Sequence, residues 1–153
     1  MYPEVVAAAR ECVGKSHYRF WPEISEAPHI VNCYTFVTWA FWQDGILLPN
    51  CLRALLYCGI PVTDMTQLRD GDLVFTSGLK CDFVQKHESR ANGGVGHVIL
   101  AEADGTGIHA CSVARCVVQA PLSQLLSGPL HLRGIYRLPV EWYRPSSPPL
   151  ITR

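Results

Sequence analysis

Apolar residues recur along this chain first with a helical period and later with the short alternation of strands. Val5, Val6, Ala9 and Val13 form one stripe, Pro3 suits a first helical turn and Gly14 suits a stop, so residues 3–13 are expected to be helical. A second helix is expected over 33–43. Asn32 is a good N-cap, Phe36, Val37, Ala40 and Phe41 fall at helical spacing, and Asp44-Gly45 ends the element. This segment is apolar on most sides, which predicts a central, buried helix. A short third helix is expected over 50–58, ahead of Gly59-Ile60-Pro61.

From about residue 68 the pattern becomes that of strands. Asp70-Gly71 marks a turn into 72–75, and further strands are expected over 97–101, 107–110, 114–119 and 132–138, with a hairpin turn at 103–106. Helices first and sheet second predict an α+β fold, with the N-terminal helices packed on a mostly antiparallel sheet. One domain is expected over 1–140, followed by an extended, Pro-rich tail over 141–153 that holds Pro148-Pro149. Two connections stand out. Residues 15–31 are rich in aromatics for a loop and are expected to pack at the surface of a pocket. Residues 76–95 lack periodicity, and a loop of that length in a small domain is usually functional or mobile.

Composition narrows the field. A chain of 153 residues suits one domain with a real core. The 13 basic and 13 acidic residues cancel and form no basic stripe, so no nucleic-acid partner is expected. No apolar run approaches the roughly 20 residues of a membrane span. The N-terminus shows no secretory signal, so a cytoplasmic location, or export by a signal-independent route, is expected. The seven cysteines are odd in number and irregularly spaced, which favours free thiols over a disulfide framework. With no CxxC and no HxxxH, neither a metal nor another cofactor is expected.

Among those thiols Cys33 is placed best for chemistry. It opens the buried helix, where unpaired N–H groups and the helix dipole favour a thiolate and can hold an oxyanion. A thiol nucleophile needs a base, and an imidazole suits neutral pH. His97 opens one strand and His109 lies in the next, twelve positions on across a hairpin, a spacing that puts both on one face at similar heights. His109 is therefore expected to fix the tautomer of His97, as the third member of a triad does. His17, His29, His87 and His131 lack such surroundings and read as surface or structural residues.

The residues Asn32-Cys33-Tyr34-Thr35-Phe36-Val37, Gly45-Ile46-Leu47-Leu48-Pro49, Leu68-Arg69-Asp70-Gly71-Asp72-Leu73-Val74-Phe75, Gly96-His97-Val98 and Ile108-His109-Ala110 occur in an order that resembles the NlpC/P60 cysteine peptidases, papain-like hydrolases of the bacterial cell wall. The resemblance covers roughly residues 3–138. It implies a peptidase or amidase that cuts a peptidoglycan peptide through a thioester, with Cys33 as nucleophile, His97 as base and His109 as orienting residue. It further implies substrate contacts at Tyr18, Asn32, Tyr34, Thr35 and Gly96. The flanks of the nucleophile differ: the family usually carries Asp-Cys-Ser-Gly-Phe, whereas here Asn32 stands for the acid and Tyr34-Thr35 for Ser-Gly.

The segment Asn-Cys-x-x-Phe also resembles the nucleophile region of lecithin–retinol acyltransferase-like proteins, in which the histidine precedes the cysteine. That leaves an acyltransferase or esterase on a non-murein substrate, or an inert binding module, as alternatives. The partner expected is a peptide or muropeptide substrate, joined by an immunity or inhibitor protein if the chain is a delivered effector.

Overall fold

The computed structural model describes residues 3–145. Helix α1 (Pro3–Glu11) is followed by two short strands, β1 (His17–Tyr18) and β2 (Ile30–Val31), which pair in parallel. Helix α2 (Cys33–Trp42) and the short α3 (Leu52–Leu56) come next, then strand β3 (Ile60–Pro61). The second half supplies β4 (Leu73–Thr76), β5 (His97–Ala101), β6 (Thr106–Cys111), β7 (Cys116–Pro121), the single-turn helix α4 (Leu122–Leu125) and β8 (Leu132–Arg137). All eight strands join one sheet in the order β2-β1-β7-β6-β5-β4-β8-β3. The α+β architecture is thus present, with antiparallel pairing everywhere except β1–β2.

Strand alternation explains the layering. Val98, Leu100, Ile108 and Ala110 face the helices and join the main core with Val5, Phe36, Val37, Ala40 and Phe41. The opposite face, through Val74, Ile99, Ala101 and Ile135, is covered by Leu122 of α4 and by Leu68. Helix α2 is buried along most of its length, as its all-round apolar sequence predicts. Two buried carboxylates are neutralised in place: Glu102 by Arg10, with Gln119 also donating to it, and Asp72 by Arg137.

The boundary at residue 140 needs correction. Val140–Trp142 closes a short 3-10 turn, the Tyr143 hydroxyl donates to the Cys58 carbonyl at 2.7 Å, and Arg144 donates to the Asp44 carbonyl. These aromatic and basic side chains have partners on the domain, so 141–144 is part of it and not an extended tail. The stretch holding Pro148 and Pro149 lies outside the described residues.

The segment 77–96 is fixed by contacts distant in sequence. Arg90 donates to the carbonyls of Leu56 and Gly59, and its guanidinium lies 4.6 Å from the centre of the Tyr136 ring. Arg133 donates to the Gly94 carbonyl while Asn92 donates back to that of Arg133. Val84 and Val95 exchange backbone hydrogen bonds, which folds the segment back on itself.

Candidate active site

Helix α2 brings Cys33 to the sheet. The Asn32 side chain accepts from the Thr35 N–H at 2.8 Å, capping the helix, and its amide donates to the Phe20 carbonyl at 3.1 Å. One residue thereby sets the helix start and ties the aromatic loop to it. Cys33 occupies the first helical position and is only 6% exposed. The backbone N–H groups of Val98, Tyr34 and Cys33 itself face the thiol and pull its pKa down. Val98 directly follows His97, so the thiol rests against the strand that carries the imidazole.

The ladder between β5 and β6 runs through Leu100–Ile108 and Ala101–Gly107. Both histidines lie beyond it, and by the same register they sit diagonally, two positions out of step. They nevertheless touch: His97 Nε2 and His109 Nδ1 are 2.7 Å apart, with the rings edge to face. That contact leaves Nδ1 as the free ring nitrogen of His97. His109 is 3% exposed, and its Nε2 has no hydrogen-bond partner among the described residues.

Burial dominates the electrostatics. It pushes the Cys33 thiol up to about 11, although the three backbone N–H groups pull the other way. It takes His97 down to about 3, with the nearby charge of His109 adding to the effect, and His109 down to about 4. The helix start was expected to favour a thiolate. Desolvation outweighs it here and favours the neutral thiol and neutral imidazoles. Tyr18 is held up to about 12, first by burial and then by the neighbouring Cys33 and Tyr34, and stays a hydroxyl donor.

A pocket of about 110 Å³ opens onto the histidine pair. Tyr18, Gly96, His97 and His109 all line it, so four positions singled out in the sequence converge there. The other four do not line it, Cys33 among them, which lies buried at the head of α2. Asn32 is buried with both polar ends occupied, Thr35 is buried and donates to Asn50, and Tyr34 packs against the main core. Gly96 has a steric reason to be glycine: an added Cβ would lie 2.5 Å from the Cys81 carbonyl oxygen and 2.6 Å from Gly78 Cα.

Sequence reasoning missed Phe20, Leu79, Phe83 and Leu130, which also line the pocket. The signal for Phe20 was the density of aromatics in its loop. Leu79 and Phe83 belong to the aperiodic segment, which forms one wall of the pocket.

An N-terminal helical layer, a sheet and a thiol at the head of the central helix define an α+β domain of papain-like build. The chain has the NlpC/P60 fold. It superposes on NlpC1 of Trichomonas vaginalis with a TM-score of 0.68 at 16% identity, covering 87% of this chain and 42% of that one. For an NlpC/P60 family protein of Bacillus cereus the TM-score is 0.67 at 21% identity, covering 95% and 41%. For the NlpC/P60 domain of the peptidoglycan hydrolase SagA it is 0.64 at 20% identity, covering 88% and 97%. The chain therefore spans about two-fifths of the first two proteins and nearly all of the SagA domain. No family model matches the sequence. No curated protein sequence matches it either.

Proposed function

We propose that this chain is a cysteine hydrolase that cleaves an amide bond, in a peptidoglycan peptide by preference, through a thioester on Cys33. The observation that carries the reading is the 2.7 Å His97–His109 contact on the strand against which the Cys33 thiol lies. The free Nδ1 of His97 takes the thiol proton as sulfur attacks the carbonyl carbon. The N–H groups at the start of α2 stabilise the charge that develops on the carbonyl oxygen. His97 then returns the proton to the leaving amine, and water, deprotonated by the same nitrogen, hydrolyses the thioester. SagA and RipB of Mycobacterium tuberculosis, both described as peptidoglycan hydrolases, share the fold and support the cell-wall substrate.

A second reading, an acyltransferase or esterase on a non-murein substrate, is favoured by one observation: the pocket beside the histidines is walled mainly by apolar side chains. The test is digestion of purified peptidoglycan, with the products identified by mass. Wild-type protein releases cleaved stem peptides, and Cys33→Ala, with its fold intact by circular dichroism, releases none. Release of the same products by Cys33→Ala overturns the nucleophile. Turnover of simple acyl esters with murein left intact favours the second reading.

A further inference from the structure

The pocket on the histidine pair has a size and chemistry that limit what enters it. Its apolar walls are Tyr18, Phe20, Leu79, Phe83, Ala110 and Leu130. No carboxylate lines it, and its one formal charge is the ammonium of Lys80. Asn32, at the position where the resemblance expects an acid, is neutral and spends both polar ends internally. Among the described residues the pocket lining thus offers no carboxylate to a substrate ammonium.

Volume sets the second limit. A dry apolar cavity of about 150 Å³ accepts a benzene ring, and whole-ligand sites run to about 300–1,000 Å³. A pocket of about 110 Å³ takes one side chain of roughly leucine size. Its enclosed part is too small to hold a long acyl chain.

The wall is built in advance. Gly78 N–H donates to Asp82 at 2.8 Å, and both Phe83 and Val84 N–H groups donate to the Val95 carbonyl at 2.9 Å. Gly78 and Gly96 approach so closely that neither has room for a side chain. Leu79 and Phe83 are each left 42% exposed by this fixed backbone, and an apolar group seated between them removes that surface from water.

We infer that this pocket is a specificity subsite for one compact, branched apolar side chain next to the scissile bond. The inference rests on the proposed Cys33 thioester chemistry for its place in the reaction, and not on a peptidoglycan substrate, whose stem peptides carry no branched apolar side chain. Leu79 and Phe83 are the specificity-determining residues. A single methylene in such a pocket discriminates by about 10–200-fold, so the preference is large enough to read.

Two measurements test it on the full chain. In the first, backbone amide shifts are followed while N-acetyl-leucinamide, N-acetyl-lysinamide, N-acetyl-glutamate amide or decanamide is added. The leucine compound is expected to move Leu79, Phe83 and Gly96 selectively, and Phe83→Ala and Leu79→Asp to abolish the response. Both side chains are partly exposed, and having two variants guards against one misfolding. Equal responses to the charged compounds, a stronger response to decanamide, or no localised response overturns the subsite whether or not the protein turns over.

In the second, internally quenched peptides varied on both sides of the scissile bond are digested. A Leu-over-Ala preference of at least tenfold in kcat/KM at one flanking position, reduced toward one in Phe83→Ala, supports the subsite. Cleavage that depends on Cys33 yet shows no such preference overturns the subsite and leaves the hydrolase reading intact. Selective binding of the leucine compound without Cys33-dependent cleavage overturns the hydrolase reading alone.

Discussion

Between His97 Nε2 and His109 Nδ1, 2.7 Å apart, there is room for one proton. If His97 carries it, Nδ1 of His97 is bare and able to take the thiol proton, and His109 must be protonated on its buried, unpaired Nε2. If His109 carries it on Nδ1, His97 is protonated on Nδ1 and cannot act as a base. A carboxylate in place of His109 would accept only, and so would hold His97 in the active tautomer. His109→Asp is therefore expected to keep turnover, whereas His109→Ala lowers kcat by roughly a hundredfold with KM little changed. The new negative charge also favours the imidazolium, so the acid limb of kcat/KM against pH shifts to higher pH in His109→Asp. A limb that stays put places His109 outside the base's surroundings. The pairing of these two histidines was legible because a spacing of twelve survives even a diagonal register. The rise of the thiol toward 11 was not, because the sequence shows a helix start and not the depth at which the fold seats it.

At the scale of elements, α2 and strands β4 to β8 were readable because each carries enough residues to show a period and a turn at its end. The expected hairpin at 103–106 joins β5 to β6 as written. Strands β1, β2 and β3 have two residues each and display no period, and α4 is a single turn. The segment 77–96 was opaque for a different reason: its form is imposed by Arg90 and Arg133 reaching across the fold. Its residues line the pocket, and those anchors argue against free motion. Asn32 gives the element scale its sharpest test. Asn32→Ala removes both the helix cap and the tie to the Phe20 carbonyl, and is expected to cost about 1–2 kcal/mol in urea unfolding. Asn32→Asp keeps the cap acceptor and is expected to recover most of that loss. Equal destabilisation by the two variants would locate the effect in the Phe20 tie instead.

For the molecule as a whole, burying three titratable groups in their neutral forms makes stability depend on pH from both sides. His97 and His109 fall from an ordinary value of 6.5 to about 3 and about 4. Below pH 6.5 the unfolded chain takes up protons that the folded chain refuses, so stability falls as pH drops toward 4. Cys33 rises from 9.0 to about 11, so above pH 9 the unfolded chain sheds a proton first and stability falls again. Scanning calorimetry is expected to show a Tm plateau between about pH 6.5 and 9. The acid slope should be shallower in the double variant His97→Gln/His109→Gln. An unchanged slope would assign the acid sensitivity to groups other than these two histidines.

The three rings of Phe20, Trp21 and Phe83 sit within 5.0–5.7 Å of one another, and two of them line the pocket. An indole's emission colour depends on what surrounds it, and Trp21, 65% exposed, makes edge contacts with both of its neighbours. Any molecule that wedges Phe83 aside or extends the cluster alters those contacts and therefore the emitted light. An apolar ligand is expected to shift the fluorescence spectrum of the wild-type protein. Trp21→Phe should lose the response, and Trp142→Phe should keep it. The chain thus carries its own chromophore beside the site, so occupancy can be followed by eye of the fluorimeter, in real time and without a label.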